Sequence, residues 1–303
     1  MMQIQHFHRI VDAFPIRTPS LFLADHQDHQ LIARAALNAL YQELYAYPKP
    51  GLVSLIDSGS HRDMDASTFI RSLYSLRSYF REIALAGTRN ASFDELRRSG
   101  LEAESRMFKA TKNINTHRGA IFTLGLLAAG AGFLISTKQP FQVQFLGHVV
   151  RKCWGSDILL SAPRKPSSHG TLVASRYGVA GARQEAAAGF PHVFNLGLPT
   201  LRQSLFTGVD FHSAIIQSFF SLMAVLPDTN LLFRGGEKGL LHAQAAAKSF
   251  LDGGGVYRRD WWNYAHAIHH DLIAHQLSPG GSADLLAATL FVHRLQIAIR
   301  NLR

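Results

Sequence analysis

Apolar residues along this chain recur every three or four positions, the spacing that collects side chains on one face of a helix. Over 26–47 that face holds Leu31, Ala35, Leu37, Leu40 and Leu44, and Pro48 ends the element because it has no N–H to donate. Over 66–86 the pattern Phe69, Ile70, Leu73, Leu76, Phe80, Ile83 predicts one continuous amphipathic helix. Residues 93–112 predict another, with Glu102 and Arg106 spaced as an i,i+4 ion pair. Further helices are expected over 168–177, 211–225, 239–251, 260–275 and 282–301. Residues 1–25, with Pro15 and Pro19, read as an irregular leader. Residues 137–168, with Pro140, Pro163 and Pro166, read as a surface excursion.

One segment departs from amphipathicity. Residues 119–136 carry no charge, a length that touches the lower limit of about 18 residues for a membrane span. The stretch is rich in Gly and Ala, includes Thr123 and lacks an aromatic belt. It therefore predicts a buried central helix that others approach closely. Together these patterns predict an all-α protein with a single large domain over 26–303.

Composition narrows the class. With 47% apolar and 17% charged residues the chain can bury a core and is not a disordered polymer. A net charge of +10 calls for an anionic partner, either nucleic acid or a phosphorylated small molecule. The single cysteine, Cys153, excludes an internal disulfide and fits a cytoplasmic setting. Residues 1–14 lack the apolar run of a signal peptide.

The candidate chemistry lies in loops. In 48–65, Pro48 and Pro50 stiffen the backbone around Lys49, and Gly59 opens a turn bearing His61, Arg62, Asp63 and Asp65. Carboxylates beside basic groups suit a Mg²⁺–polyphosphate, the metal taking hard oxygens and the bases taking phosphate. Alternatively, Asp65 caps the helix that follows it. Lys112, Asn115, His117 and Arg118 precede the apolar helix, whose N-terminus favours anions and to which Lys112, His117 and Arg118 are expected to add positive charge. Arg183 and Glu185 sit among small residues; Asp228 leads to Arg234-Gly-Gly236; Ser278-Pro-Gly-Gly-Ser282 introduces Asp284. That last loop lacks the Gly-Lys-Ser/Thr ending of a Walker motif. Among sixteen histidines, His266/His270 and Asp271/His275 are i,i+4 pairs without an evident third metal ligand, which reads as surface structure.

Five segments in order resemble the triphosphoribosyl-dephospho-CoA synthase family. They are Pro48-Lys-Pro-Gly-Leu-Val with Gly59-Ser-His-Arg-Asp-Met-Asp65, Asn115-Thr-His-Arg-Gly-Ala-Ile-Phe122, Gly181-Ala-Arg-Gln-Glu-Ala with Gly189-Phe-Pro191, Asp228-Thr-Asn-Leu-Leu-Phe-Arg-Gly-Gly236, and Leu277-Ser-Pro-Gly-Gly-Ser-Ala-Asp-Leu-Leu286. The wording Tyr47-Pro-Lys-Pro-Gly-Leu-Val-Ser and Asp57-Ser-Gly-Ser-His resembles the malonate decarboxylase branch. Pro227 stands where the family pattern has a second acidic residue, and Asn113-Ile114 replaces Gly-Val. The resemblance implies that the 2′-hydroxyl of 3′-dephospho-CoA attacks C1′ of the ATP ribose. Adenine leaves, and the product is the prosthetic-group precursor for the acyl carrier subunit of malonate decarboxylase.

That reaction implies Mg²⁺ on Asp63, Asp65 and either Asp228 or Asp284. It implies phosphate contacts from Lys49, His61, Arg62, Lys112, Asn115, His117, Arg118, Arg183, Arg234 and Ser282. Glu43, Glu104 and Glu185, with Asp65, become the carboxylates for base catalysis or for stabilising positive charge on the sugar. No nucleic acid or membrane is expected as a partner, and a homodimer is left open. An N-glycoside hydrolase, a nucleic-acid binder and an inactive assembly factor are the competing readings. The second predicts basic helix faces, which the sequence lacks.

Overall fold

The structure, a computed structural model, describes residues 24–137, 141–161, 172–173 and 176–300. Among these there is no strand, and the fold is the expected all-α one. Five helices come first: α1 (Ala24–Tyr45), α2 (Ala66–Ser75), α3 (Arg77–Thr88), α4 (Phe93–Ala110) and α5 (Arg118–Ser136). Next are α6 (Leu146–Leu160), the short α7 (Ala182–Ala187), α8 (Leu198–Phe206) and α9 (Phe211–Val225). The chain continues through α10 (Thr229–Asp252), α11 (Trp261–Ala274) and α12 (Gly280–Arg300).

Helix α5 is the centre, packed by α3, α1, α12, α6 and α4. Its apolarity on all sides follows from having neighbours on all sides. Its glycines set the spacing. A Cβ on Gly132 would fall 1.9 Å from the Ala84 carbonyl oxygen, and one on Gly87 of α3 would fall 2.0 Å from that of Ala129. The α3 and α5 backbones therefore touch directly. Tyr79 fills the notch at Gly125 and donates its hydroxyl hydrogen to the Ile121 carbonyl at 2.9 Å. Both α5 and α12 are long and apolar enough to cross a membrane, yet 67% and 61% of those stretches are buried inside the fold.

The structure corrects several expectations. The predicted 66–86 helix breaks at Leu76 (φ −94°, ψ 0°) into α2 and α3. The break lets α2 reach α4 while α3 turns onto α5 and α1. Arg106 pairs with Glu82 at 3.4 Å across helices instead of with Glu102. The expected excursion contains α6, whose buried Val149, Val150, Trp154 and Ile158 face the core. Trp154 Nε1 donates to the Ala91 carbonyl at 2.9 Å. The prolines that suggested irregularity, at 140, 163 and 166, lie outside the described residues, as do residues 1–23 and the start of the predicted 168–177 helix. The 227–236 segment is mostly the first turns of α10, which kinks at Gly236 (φ 61°).

Candidate active site

Loop 48–63 is locked against the turn at 276–278 by contacts that tolerate no side chain. Gly51 has φ 68°, and a Cβ there would fall 2.1 Å from the Leu277 carbonyl oxygen. That same oxygen accepts from Ser60 Oγ at 2.6 Å. Arg234, from α10, completes the lock by donating to the carbonyls of Ser60 (3.2 Å) and Gln276 (3.1 Å) and to His61 Nδ1 (3.1 Å). Because Arg234 can only donate, His61 carries its hydrogen on Nε2, which faces Ser278 Oγ at 2.9 Å. Burial, and then the Arg234 charge, depress the His61 pKa to about 4, so this ring is neutral at neutral pH.

Behind the lock is a group of carboxylates. Asp228 Oδ1 accepts the Asn230 N–H at 2.9 Å and so caps α10. Its Oδ2 accepts from Ser282 N (2.8 Å) and Oγ (3.0 Å), in the first turn of α12. Asp284 reaches the N-terminus of α5, where it accepts from the Ala120 N–H. Gly119 makes room for it, since a Cβ would fall 1.8 Å from Asp284 Oδ2. Glu43, near the end of α1, accepts from Lys49 Nζ at 2.5 Å, and both residues are buried. Three helix N-termini, of α5, α10 and α12, therefore meet at two aspartates. Their positive ends favour anions, yet desolvation wins. Burial raises the Asp228 carboxyl despite its hydrogen bonds. Burial, followed by the Glu43 and Asp228 charges, raises Asp284 well above the usual carboxylate range.

The other expected site residues fall into three groups. Asp65 is the N-cap of α2, accepting from Thr68 N (2.9 Å), Thr68 Oγ1 (2.8 Å) and Ser67 Oγ (2.8 Å). These bonds hold its carboxyl below the usual range. Asp63 is exposed, 3.7 Å from His61 Nδ1, and Arg62 is exposed beside it. Asp63 and Asp65 therefore stand on the outer loop, apart from the buried Asp228 and the half-buried Asp284, and the four expected metal ligands do not gather as one set.

A second group surrounds the entry to α5. His117 is buried, with Nδ1 2.6 Å from Ser72 Oγ and no protein partner for Nε2. Burial takes its pKa down to about 3, which removes the positive charge expected of it. Arg118 Nε donates to Glu104 Oε2 at 3.0 Å, and burial raises the Glu104 carboxyl against the pull of that guanidinium. Glu104, Phe108, Lys109 and Lys112 line an open groove, with Lys112 exposed at φ 56° and Asn115 exposed nearby in the chain.

The third group serves packing. Arg183 donates to the Ile158 carbonyl (3.0 Å) and Ser161 Oγ (2.8 Å), capping the end of α6. Glu185 accepts from His192 N (2.9 Å) and pairs with His192 Nδ1 (2.7 Å), which raises the His192 pKa. Both residues have intrachain work at the α6–α7 contact, away from the aspartates.

Sequence reasoning missed a polar group beside Lys49. Asp57 accepts from His269 Nε2 at 3.0 Å, from Gly59 N at 2.9 Å and from the Tyr47 hydroxyl. Burial and the Asp57 charge push Tyr47 up to about 12. His269 is fully buried, with Nδ1 against the Gly51 N–H and the Lys49 carbonyl. Asp57 lay inside a motif already singled out, whereas His269 was one histidine among sixteen.

Helix ends and carboxylates gather behind an arginine-locked loop, a candidate site, and the family match places the chain among the transferases. The family model described as ATP:dephospho-CoA triphosphoribosyl transferase matches residues 29–301, and the chain belongs to that family. A relative from Acinetobacter calcoaceticus is 39% identical over 282 residues, covering 93% of this chain and 97% of its own length. One from Vibrio cholerae serotype O1 (strain M66-2) is 37% identical, covering 88% of each chain. One from Pseudomonas fluorescens is 38% identical, covering 94% of this chain and 96% of its own. All three bear the name "Probable 2-(5''-triphosphoribosyl)-3'-dephosphocoenzyme-A synthase". No solved structure matches the chain.

Proposed function

We propose that this enzyme transfers the 5-triphosphoribosyl group of ATP to the 2′-hydroxyl of 3′-dephospho-CoA and releases adenine. The C1′–N9 bond breaks, a C1′–O2′ bond forms, and the hydroxyl proton leaves as adenine gains one. The observation that carries this reading is the meeting of Asp228 and Asp284 at three helix N-termini, with the Lys49–Glu43 pair beside them.

Positive charge grows on the sugar as adenine departs, and a carboxylate held nearby stabilises it. Glu43, fixed by Lys49, fits that role or that of the base. A carboxyl raised by burial, as Asp284 is, keeps a proton that it can give to adenine. Lys49, His117 and Arg183 are committed to internal partners or neutral. Arg118 pairs with Glu104 and Arg234 holds the loop, so the exposed Arg62 and Lys112 remain for the phosphates. Hard carboxylate oxygens fit Mg²⁺, and Asp228 would hold it while Asp284 keeps its proton. When bound, the ion neutralises and orients the triphosphate. The wording of residues 47–54 and 57–61 supports a product destined for the malonate decarboxylase acyl carrier subunit.

Chromatography of adenine from ATP and Mg²⁺, with and without 3′-dephospho-CoA, tests the reaction. Release that depends on dephospho-CoA, with a matching mass gain, is expected. Release without the acceptor would indicate a hydrolase, and no release would remove the transferase reading. Glu43→Gln and Asp284→Asn should each lower turnover by about 10²-fold or more. In the host, loss of the gene should leave the malonate decarboxylase carrier without its prosthetic mass; an unchanged carrier refutes that link.

A further inference from the structure

Helices α10 and α11, with the residue that ends α11, bring together three side chains of metal-ligating type outside the candidate active site. His242 Nε2 lies 2.6 Å from Asp271 Oδ2, and His275 Nδ1 lies 3.3 Å from Asp271 Oδ1. The two imidazole rings stand 4.6 Å apart, centroid to centroid. One ligand atom from each of the three residues falls within 4.8 Å of the other two. Asp271 and His275 are one helical turn apart, so the sequence shows them as a pair. His242 comes from another helix, and only packing reveals it as the third.

We propose that His242, Asp271 and His275 bind one divalent transition-metal ion of the zinc class, leaving a fourth position to water. Two imidazoles and one carboxylate are the donor set such ions take, whereas Mg²⁺ prefers oxygen throughout. Ligand bonds of about 2.0–2.2 Å in a tetrahedron put donor atoms about 3.4 Å apart. The present separations meet that with small rotations of side chains that are 42%, 40% and 56% exposed. His242 Nε2 turns to the Asp271 carboxylate although both are open to water, and His275 Nδ1 sits between that carboxylate and the Asp271 carbonyl. On binding, His275 Nδ1 exchanges its 2.9 Å contact with the Asp271 carbonyl for the ion.

The ion would staple α10 to the end of α11. The residue after His275, Gln276, gives its carbonyl to Arg234, which precedes His242 on α10 across the kink at Gly236. The staple therefore backs the Arg234 lock without touching the carboxylate group. This site is independent of the triphosphoribosyl reading, because none of its residues takes part in that reaction.

The test is titration of the tag-free full-length chain with Co²⁺, followed by visible absorption and displacement with Zn²⁺. One equivalent with an intense four-coordinate spectrum, displaced by Zn²⁺, is expected. His242→Ala and His275→Ala should each weaken binding by about tenfold or more, as even outer partners of metal ligands do. His266→Ala should leave it unchanged, although its Nε2 lies 3.2 Å from that of His270. Zn²⁺ should also raise the Tm of the unaltered chain but not that of His242→Ala. Absence of a cobalt spectrum in the unaltered chain, retention of binding in His242→Ala, or its loss in His266→Ala would overturn the site.

Discussion

Asp284 shows how one residue can carry opposed demands. The N-terminus of α5 invites its negative charge, while burial and two neighbouring carboxylates resist it. Its folded pKa is raised, so the folded state binds the proton more tightly than the unfolded chain does. That contribution to stability is full below the unfolded carboxylate value of about 3.9 and is lost as pH rises through the folded one. Asp228 acts in the same direction. His61 and His117 act oppositely, being depressed to about 4 and about 3, so stability falls as pH drops below about 6.5 toward those values. Thermal melts in metal-free buffer from acid to neutral pH should therefore show losses at both ends. Asp284→Asn should flatten the rise-in-pH loss and leave the histidine loss intact; an unchanged pH profile would contradict the burial argument. The sequence named Asp284, His61 and His117 but assigned the last a positive charge, because a one-dimensional reading does not contain burial.

Helix periodicity was legible wherever a helix keeps one face to solvent, as in α1, α4 and α11. It misled in two places for physical reasons. Leu76 is apolar at the right spacing, so the break between α2 and α3 leaves the pattern uninterrupted; only their different partners require the bend. Helix α6 was hidden by the prolines around it, although Val150, Trp154 and Ile158 repeat at helical spacing. The α3–α5 contact is where a small change should be felt most. Gly87→Ala and Gly132→Ala drive a methyl into a facing carbonyl, and each should cost about 1–3 kcal/mol or more in urea unfolding. Gly100→Ala is the matched control, because its Cβ meets only Tyr79 Oη at 3.7 Å. It should stabilise α4 by about 0.5–1 kcal/mol through the unfolded chain's lost freedom. Equal effects at all three positions would show that the close approach is not limiting.

Across the whole molecule, four of the five sequence motifs converge and the fifth does not. Segments 48–65, 115–122, 228–236 and 277–286 meet at the locked loop and the three helix ends, whereas 181–191 secures α6 and α7. The sequence by itself determined the all-α class, the buried Gly/Ala-rich helix and the family. These follow from local periodicity, side-chain size and residue type, which a linear string records. Tertiary structure alone decided which ionisable groups share a site. It sealed Lys49 against Glu43, joined Asp228 to Ser282, set Asp284 at the start of α5, and placed Asp57 on His269. Charge and burial act through space, and residues far apart in the chain meet only after the helices have packed.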